Sequence, residues 1–196
     1  MSVSRETIPA PLDLPSCHET ALSILVNGRR RYVSCTECAT LDALRWANPA
    51  QPLSTLELIA LYHTGSHTAN GGRTTAQMVA AIAARYRHTP ARSTTMAGHL
   101  AMLRAGYVLT VAGDYNRLPA ALQRWDRAFA ARPGALHAVC VGPIAPNSPA
   151  TTPLVWWRDP LARPSTYHGE WVAWSTVITF ALGPLDTLAF PRDAWA

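Results

Sequence analysis

Apolar residues recur at helical spacing through the first half of the chain and at alternate positions through the second. Over residues 36–47, Leu41, Leu44 and Ala47 fall at helical spacing beside Ala39, Ala43 and Trp46, and Pro49 closes the segment. A short helix is expected over 17–26, with Ser16 as cap and Asn27-Gly28 as stop. Ser54 followed by Glu57 has the form of a capping box and predicts a helix over 54–62. A polar loop over 63–73 then leads to Thr74 or Thr75, either of which caps a strongly helical run over 76–86. Residues 96–105 predict one more helix, stopped by Gly106.

The period then changes from 3.6 to 2. Residues 107–112 read as a strand with Gly113-Asp114 as its turn, 118–131 return to helix, and strands are expected over 136–141, 154–157 and 171–180. Pro143, Pro146, Pro149 and Pro153 are expected between strands, since proline has no backbone donor for a ladder. Residues 1–16, with three prolines and few apolar anchors, read as an extended lead-in, and 17–196 as a single domain. The expected class is α+β: helices first, then an antiparallel sheet.

Composition narrows the function classes. At 196 residues the chain is long enough to bury about two-thirds of its unfolded surface, so it folds without a disulfide or metal staple. With 48% apolar and 15% charged residues it is no disordered polyelectrolyte. The net charge of +5 comes entirely from arginine over acids, lysine being absent, a bias that fits a GC-rich genome. The excess favours polyanionic surfaces only modestly, and the one basic run, Arg29-Arg30-Arg31, reads as a solvated turn. No aromatics interleave with arginine as single-stranded nucleic acid requires, so nucleic acid is not an expected partner. The start lacks the apolar core of a signal peptide and no stretch is long enough to cross a bilayer, which predicts synthesis in the cytoplasm.

Four cysteines are too few for a disulfide scaffold of this length. A nucleophilic cysteine works as thiolate, and a helix N-terminus with a neighbouring imidazolium favours that form. Cys35 opens the 36–47 helix. His137 starts an apolar strand, a rigid place for a base, and Asp159 ends the neighbouring strand ahead of Pro160, where its carboxylate can orient an imidazole. Cys17 is the rival nucleophile; Cys35 is preferred because its helix is longer and more apolar. Cys38 and Cys140 read as core thiols. Cys35, Cys38, His63 and His67 are zinc-type donors, but two lie on a helix and two in a distant loop, which is poor zinc spacing. The loop containing Gly71 and Gly72 reads either as a cleft wall or as a surface connection. It lacks the Gly-Lys-Ser/Thr ending of a phosphate loop. Trp157, close to Asp159, reads as a shield for the imidazole or a lining of the cleft.

Several strings carry a resemblance. Gly134-Ala135-Leu136-His137-Ala138-Val139-Cys140-Val141, followed by Trp156-Trp157-Arg158-Asp159-Pro160-Leu161, resembles papain-like cysteine peptidases of the bacteriocin-processing (C39-like) and phage-endolysin type. Cys35-Thr36-Glu37-Cys38-Ala39, Gly71-Gly72-Arg73-Thr74-Thr75 and Gly106-Tyr107-Val108-Leu109 match further features of that family, and Asp114-Tyr115 with Leu118-Pro119 look like its endolysin subset. The likeness covers roughly residues 30–180. Two departures stand out: the family pattern has Cys-Gly-Pro where this chain has Cys35-Thr36-Glu37, and a Gln or Asn shortly upstream where the nearest amide is Asn27.

The resemblance implies a papain-like α+β fold, its helical first half packed on a twisted antiparallel sheet. Cys35 is then the nucleophile, His137 the base and later acid, Asp159 the orienting carboxylate, and Gly71, Gly72 and Trp157 the candidate substrate contacts. It implies a cysteine peptidase or amidase acting on the peptides of bacterial peptidoglycan, needing no cofactor, as a catalytic module of a phage endolysin or longer multidomain lysin. Such a protein waits in the host cytoplasm and acts at the periplasm and cell wall on lysis. The alternative is a catalytically inactive papain-like domain that binds or builds within a phage particle or secretion system.

Overall fold

A computed structural model describes residues 23–26, 29–32, 35–47, 75–86, 89–123, 135–161 and 168–191 of the protein. The elements in chain order are β1 (Ser23–Val26), β2 (Arg29–Tyr32), α1 (Cys35–Ala47), α2 (Thr75–Tyr86), α3 (Met96–Arg104), β3 (Val108–Asp114), β4 (Leu136–Ile144), β5 (Leu154–Arg158), β6 (Glu170–Ala173), α4 (Trp174–Phe180) and β7 (Thr187–Phe190). Five strands form one antiparallel sheet in the order β6-β5-β4-β3-β7, and β1 pairs with β2 in a separate hairpin. The architecture is α+β, as the change of hydrophobic period predicts. The expected lead-in over 1–16, the helix over 54–62 and the loop over 63–73 lie outside the described residues.

Strand alternation divides the core between the two faces of the sheet. Leu109 and Val111 of β3, Val139 and Val141 of β4, and Val155 and Trp157 of β5 pack on one side, with Leu103 of α3 and Trp174, Val177 and Phe180 of α4. On the other side Val108, Ala138, Cys140, Leu188 and Phe190 meet Ala39, Ala43, Leu44 and Ala47 of α1 and Met78, Ala81 and Ile82 of α2. Strand β4 is therefore covered on both faces over most of its length, which is why it reads as a continuous apolar run. Ala39, Ala43 and Ala47 of α1 and Ala138 of β4 are the small residues in this cluster, beside the larger Leu44, Val108, Leu188 and Phe190.

Five local readings are corrected. Ser23–Val26 is a strand, paired Val26 to Arg29 with β2, so the helix expected over 17–26 does not extend through it. The arginine run is accordingly part of a strand rather than a turn. Pro143 lies inside β4; the pairing with β5 shifts register between Val141 and Ile144, and a bulge is where a strand interior tolerates a residue without an N–H. The apolar run over 171–180 is a strand followed by a helix, because Trp174, Val177 and Phe180 recur at threes and turn inward together while Ser175, Ile178 and Thr179 face out. The helix expected from 118 does not begin there: Leu118 to Gln123 turn back on themselves, with Leu122 N–H donating to Pro119 O at 2.8 Å. The edge strand β7 has no counterpart among the expected elements.

Gly113, expected in a turn, sits within β3 directly opposite His137 of β4. A Cβ there would lie 2.4 Å from the Phe180 carbonyl oxygen and 2.5 Å from its ring. The missing side chain is what allows Phe180 to lie over the strand. Gly113→Ala is expected to lower the unfolding free energy by about 1–3 kcal/mol, the usual cost of overpacking, measured by urea denaturation.

Candidate functional site

The site lies where the N-terminus of α1 meets the sheet. Cys35 is the first residue of that helix and keeps part of its surface open, whereas Cys38, one turn on, is fully buried. Glu37 in the same first turn is also fully buried. His137 is the second residue of β4 and Asp159 directly follows β5, so adjacent strands bring them together. Both are almost wholly inaccessible, at 2% and 3% exposure.

His137 Nε2 lies 2.7 Å from Asp159 Oδ1, and since a carboxylate only accepts, the imidazole donates. The Leu161 N–H donates to the same oxygen at 2.8 Å, which fixes the carboxylate against the turn that Pro160 starts. Tyr115 stands edge-on to the imidazole with ring centroids 5.5 Å apart, and Phe180 does so at 6.4 Å. Tyr115 belongs to the Asp114-Tyr115 string quoted from the sequence, though not as a neighbour of the histidine, whereas Phe180 was not singled out by sequence. Phe180 in turn packs edge-on to Trp157 at 5.2 Å. The imidazole is thus held in one plane by a hydrogen bond along it and two aromatic edges across it.

With Nε2 on the carboxylate, Nδ1 is the nitrogen left for Cys35. The thiol is near enough to act on the imidazole both as a hydrogen-bond partner and as a charge. No fully aligned hydrogen bond closes on Nδ1, which is otherwise buried and unoccupied among the described residues. Burial by itself would lower the proton affinity of His137. The charge and hydrogen bond of Asp159, and then the nearness of Cys35, outweigh it and hold the imidazole pKa well above its ordinary 6.5.

The other expected site residues fare differently. Gly71 and Gly72 lie outside the described residues, as do Cys17, Asn27, His63 and His67. Trp157 is completely buried between the sheet and α4, so it supports Phe180 from beneath rather than lining an open cleft. Its position on β5 requires this, because the alternation that turns Arg158 towards α1 turns Trp157 into the opposite core. Cys140 is a core thiol on the α1 face; burial first, then the negative charge of Asp42, push its pKa up, and Arg158 offsets this only partly. Among the described residues no group of three metal-ligating side chains occurs, and no helix is long and apolar enough to cross a membrane.

The histidine's proton affinity has a measurable consequence. Its folded pKa lies above its unfolded value, so the stability it contributes is fully present below about pH 6.5 and is lost as pH rises through the folded pKa. Asp159→Asn removes the charge that raises it while leaving the burial. The variant's His137 is expected to titrate well below that of the wild type by NMR. Its deficit in unfolding free energy is expected to be largest between about pH 5 and 6.5 and to shrink at higher pH. Equal imidazole titrations in the two proteins would count against this assignment.

No family model matches the chain, and no curated protein matches it. Among solved structures, the fold is similar to a crystal structure of a Bacillus anthracis protein named as a candidate C39-like peptidase, with a TM-score of 0.59 over 92% of this chain and 95% of that one. Sequence identity across the match is 8%, and the likeness is one of fold.

Proposed function

We propose that the protein is a cysteine peptidase or amidase in which Cys35 is the nucleophile, His137 the base and acid, and Asp159 the carboxylate that orients the imidazole. The observation that carries this reading is the buried His137, bonded at 2.7 Å to Asp159 through one nitrogen and left to Cys35 through the other. Purely structural histidines have no need of a half-open thiol at a helix N-terminus on their second nitrogen.

The chemistry follows from those positions. His137 Nδ1 takes the Cys35 proton, the sulfur attacks an amide carbonyl, and the same proton passes to the leaving amine as the thioester forms. Water then attacks the thioester with His137 again as base, regenerating the thiol. Asp159 keeps the ring in place and stabilises its cationic form, without taking the proton itself. The backbone N–H groups at the start of α1, at the positive end of its dipole, are suited to receive the negative oxygen of the tetrahedral intermediate. None of these steps calls on a cofactor.

For the substrate we take the peptides of bacterial peptidoglycan, and for the setting a phage endolysin or cell-wall hydrolase module acting at the wall on lysis. The strings Asp114-Tyr115 and Leu118-Pro119 support this choice through their likeness to the endolysin subset, and the +5 charge suits an acidic wall. Purified actinobacterial peptidoglycan incubated with the wild type is expected to release soluble muropeptides with new amino termini, identified by mass spectrometry. Cys35→Ala and His137→Ala are each expected to reduce the rate at least ~1,000-fold, and Asp159→Asn about 100- to 10,000-fold, with the fold retained by circular dichroism. Activity surviving in Cys35→Ala would move the nucleophile elsewhere. A wild type inert on several wall types and on peptide substrates would favour the inactive binding domain.

A further inference from the structure

Arg158 and Asp159 are consecutive, and the end of β5 sends them to opposite faces of the sheet. Asp159 meets His137 on one side. On the other, Arg158 reaches α1, where its Nε lies 3.2 Å from Asp42 Oδ2 and its Nη2 3.3 Å from Asp42 Oδ1. The remaining arm of the fork, Nη1, donates to the His168 carbonyl at 3.4 Å, an acceptor shared with the Trp156 indole N–H at 3.1 Å. Gly169, at φ +113°, brings this carbonyl in; a Cβ there would lie 2.7 Å from both the Trp156 indole nitrogen and the Trp157 carbonyl oxygen. Arg158 and Asp42 are essentially inaccessible, with side-chain exposures of 2% and 0%.

A buried ion pair is a poor source of net stability, because the cost of stripping water from both charges offsets most of their attraction. Its distinctive contribution is direction. The core on this face gathers Ala39, Ala43, Leu44, Trp46 and Ala47 of α1 with Ala138 and Cys140 of β4 and with Val108, Leu188 and Phe190 of the flanking strands. Apolar packing of this kind is non-directional, and its alanines offer less relief than larger side chains to fix a helix's height and rotation. A planar two-pronged contact permits one height and one rotation. Asp42 lies seven residues beyond Cys35, about 10 Å along the helix axis, so an error in either is carried directly to the thiol.

We propose that the Asp42–Arg158 pair is a positioning device that sets the height and rotation of α1, and so holds the Cys35 thiol against the imidazole that Asp159 orients from the neighbouring position on β5. The proposal rests on the reading of Cys35 and His137 as partners, and its test does not require a substrate. The double variant Asp42→Leu/Arg158→Met replaces both charges by apolar groups of similar bulk, and Arg158→Lys keeps the charge while removing the fork. Each is compared with the wild type by thermal unfolding, by the pH dependence of Cys35 alkylation with iodoacetamide resolved by peptide mapping, and by the NMR titration of His137.

The double variant is expected to unfold within a few degrees of the wild type while Cys35 alkylation slows at least about 10-fold and the His137 titration moves towards that of Cys35→Ala. Arg158→Lys is expected to fall between. Wild-type alkylation profiles and His137 titrations in a folded double variant would overturn the proposal; should that variant not fold, the same result in Arg158→Lys overturns it. A wild-type Cys35 no more reactive than a model thiol would instead defeat the catalytic reading, and the His137 titration of Arg158→Lys would still decide whether the pair positions the thiol.

Discussion

An imidazole almost wholly removed from water has to find partners within the protein, and the surroundings of His137 are arranged around that requirement. Asp159 takes one nitrogen at 2.7 Å and is itself pinned by the Leu161 N–H. Tyr115 and Phe180 close the flanks. Phe180 reaches its place only because Gly113, the residue paired with His137 across the β3–β4 ladder, has no side chain. A partner for the second nitrogen comes from a different part of the chain, the start of α1. The ring therefore links the Gly113–Tyr115 stretch, the turn after β5, Phe180 of α4 and the start of α1, four parts of the chain far apart in sequence.

The sheet makes this linkage possible because it is covered on both sides. Strand β4 turns His137 and Val139 towards α4 and α3, and Ala138 and Cys140 towards α1. The end of β5 does the same with Asp159 and Arg158. One strand end thus holds the histidine from one face and the helix from the other, and the two halves of the site share a rigid backbone instead of meeting through loops. The helix packs on the sheet through Ala39, Ala43 and Ala47 together with Leu44 and Trp46, an apolar contact with no fixed direction of its own. Under those conditions a directional polar contact inside the core has a use that apolar packing does not supply.

Much of the frame was legible because it rests on local signals. The helical spacing in 36–47, 76–86 and 96–105 matches α1, α2 and α3 closely, and Leu136 to Val141 reads as a strand by its β-branched run. What failed required pairing information. Asn27-Gly28 is as good a hairpin turn as a helix stop, and Ser23–Val26 had to be seen beside Arg29–Tyr32 to choose between them. Gly113 and Pro143 are ordinary strand breakers unless the residue opposite is known: Phe180 for the one, the bulge against β5 for the other. Thr187–Phe190 is too short to declare itself before it is set at the edge of β3. In the site, Cys35, His137 and Asp159 stand out by their positions at element ends and by the family likeness of the strings around them, whereas Asp42 gave no signal, since an acid in a largely apolar helix looks like a solvated face until its arginine, 116 residues on, is found against it.

The distribution of exposure among the three site residues adds a constraint on how chemistry can enter. His137 and Asp159 are shut in by the sheet and the aromatic rings, and only Cys35 keeps part of its surface open. A carbonyl group approaching from outside therefore meets sulfur first, with the imidazole behind it and the N–H groups of the helix start beside it. Proton exchange with bulk water from the other side is hindered by the same packing that orients the ring. For acyl transfer this order is favourable: the proton lifted from sulfur stays within reach of the leaving amine rather than escaping to solvent, and water gains access to the thioester only along the path the amine has vacated. On the proposed reading, a buried imidazole next to a half-open thiol favours a covalent route through sulfur over direct activation of water by the imidazole.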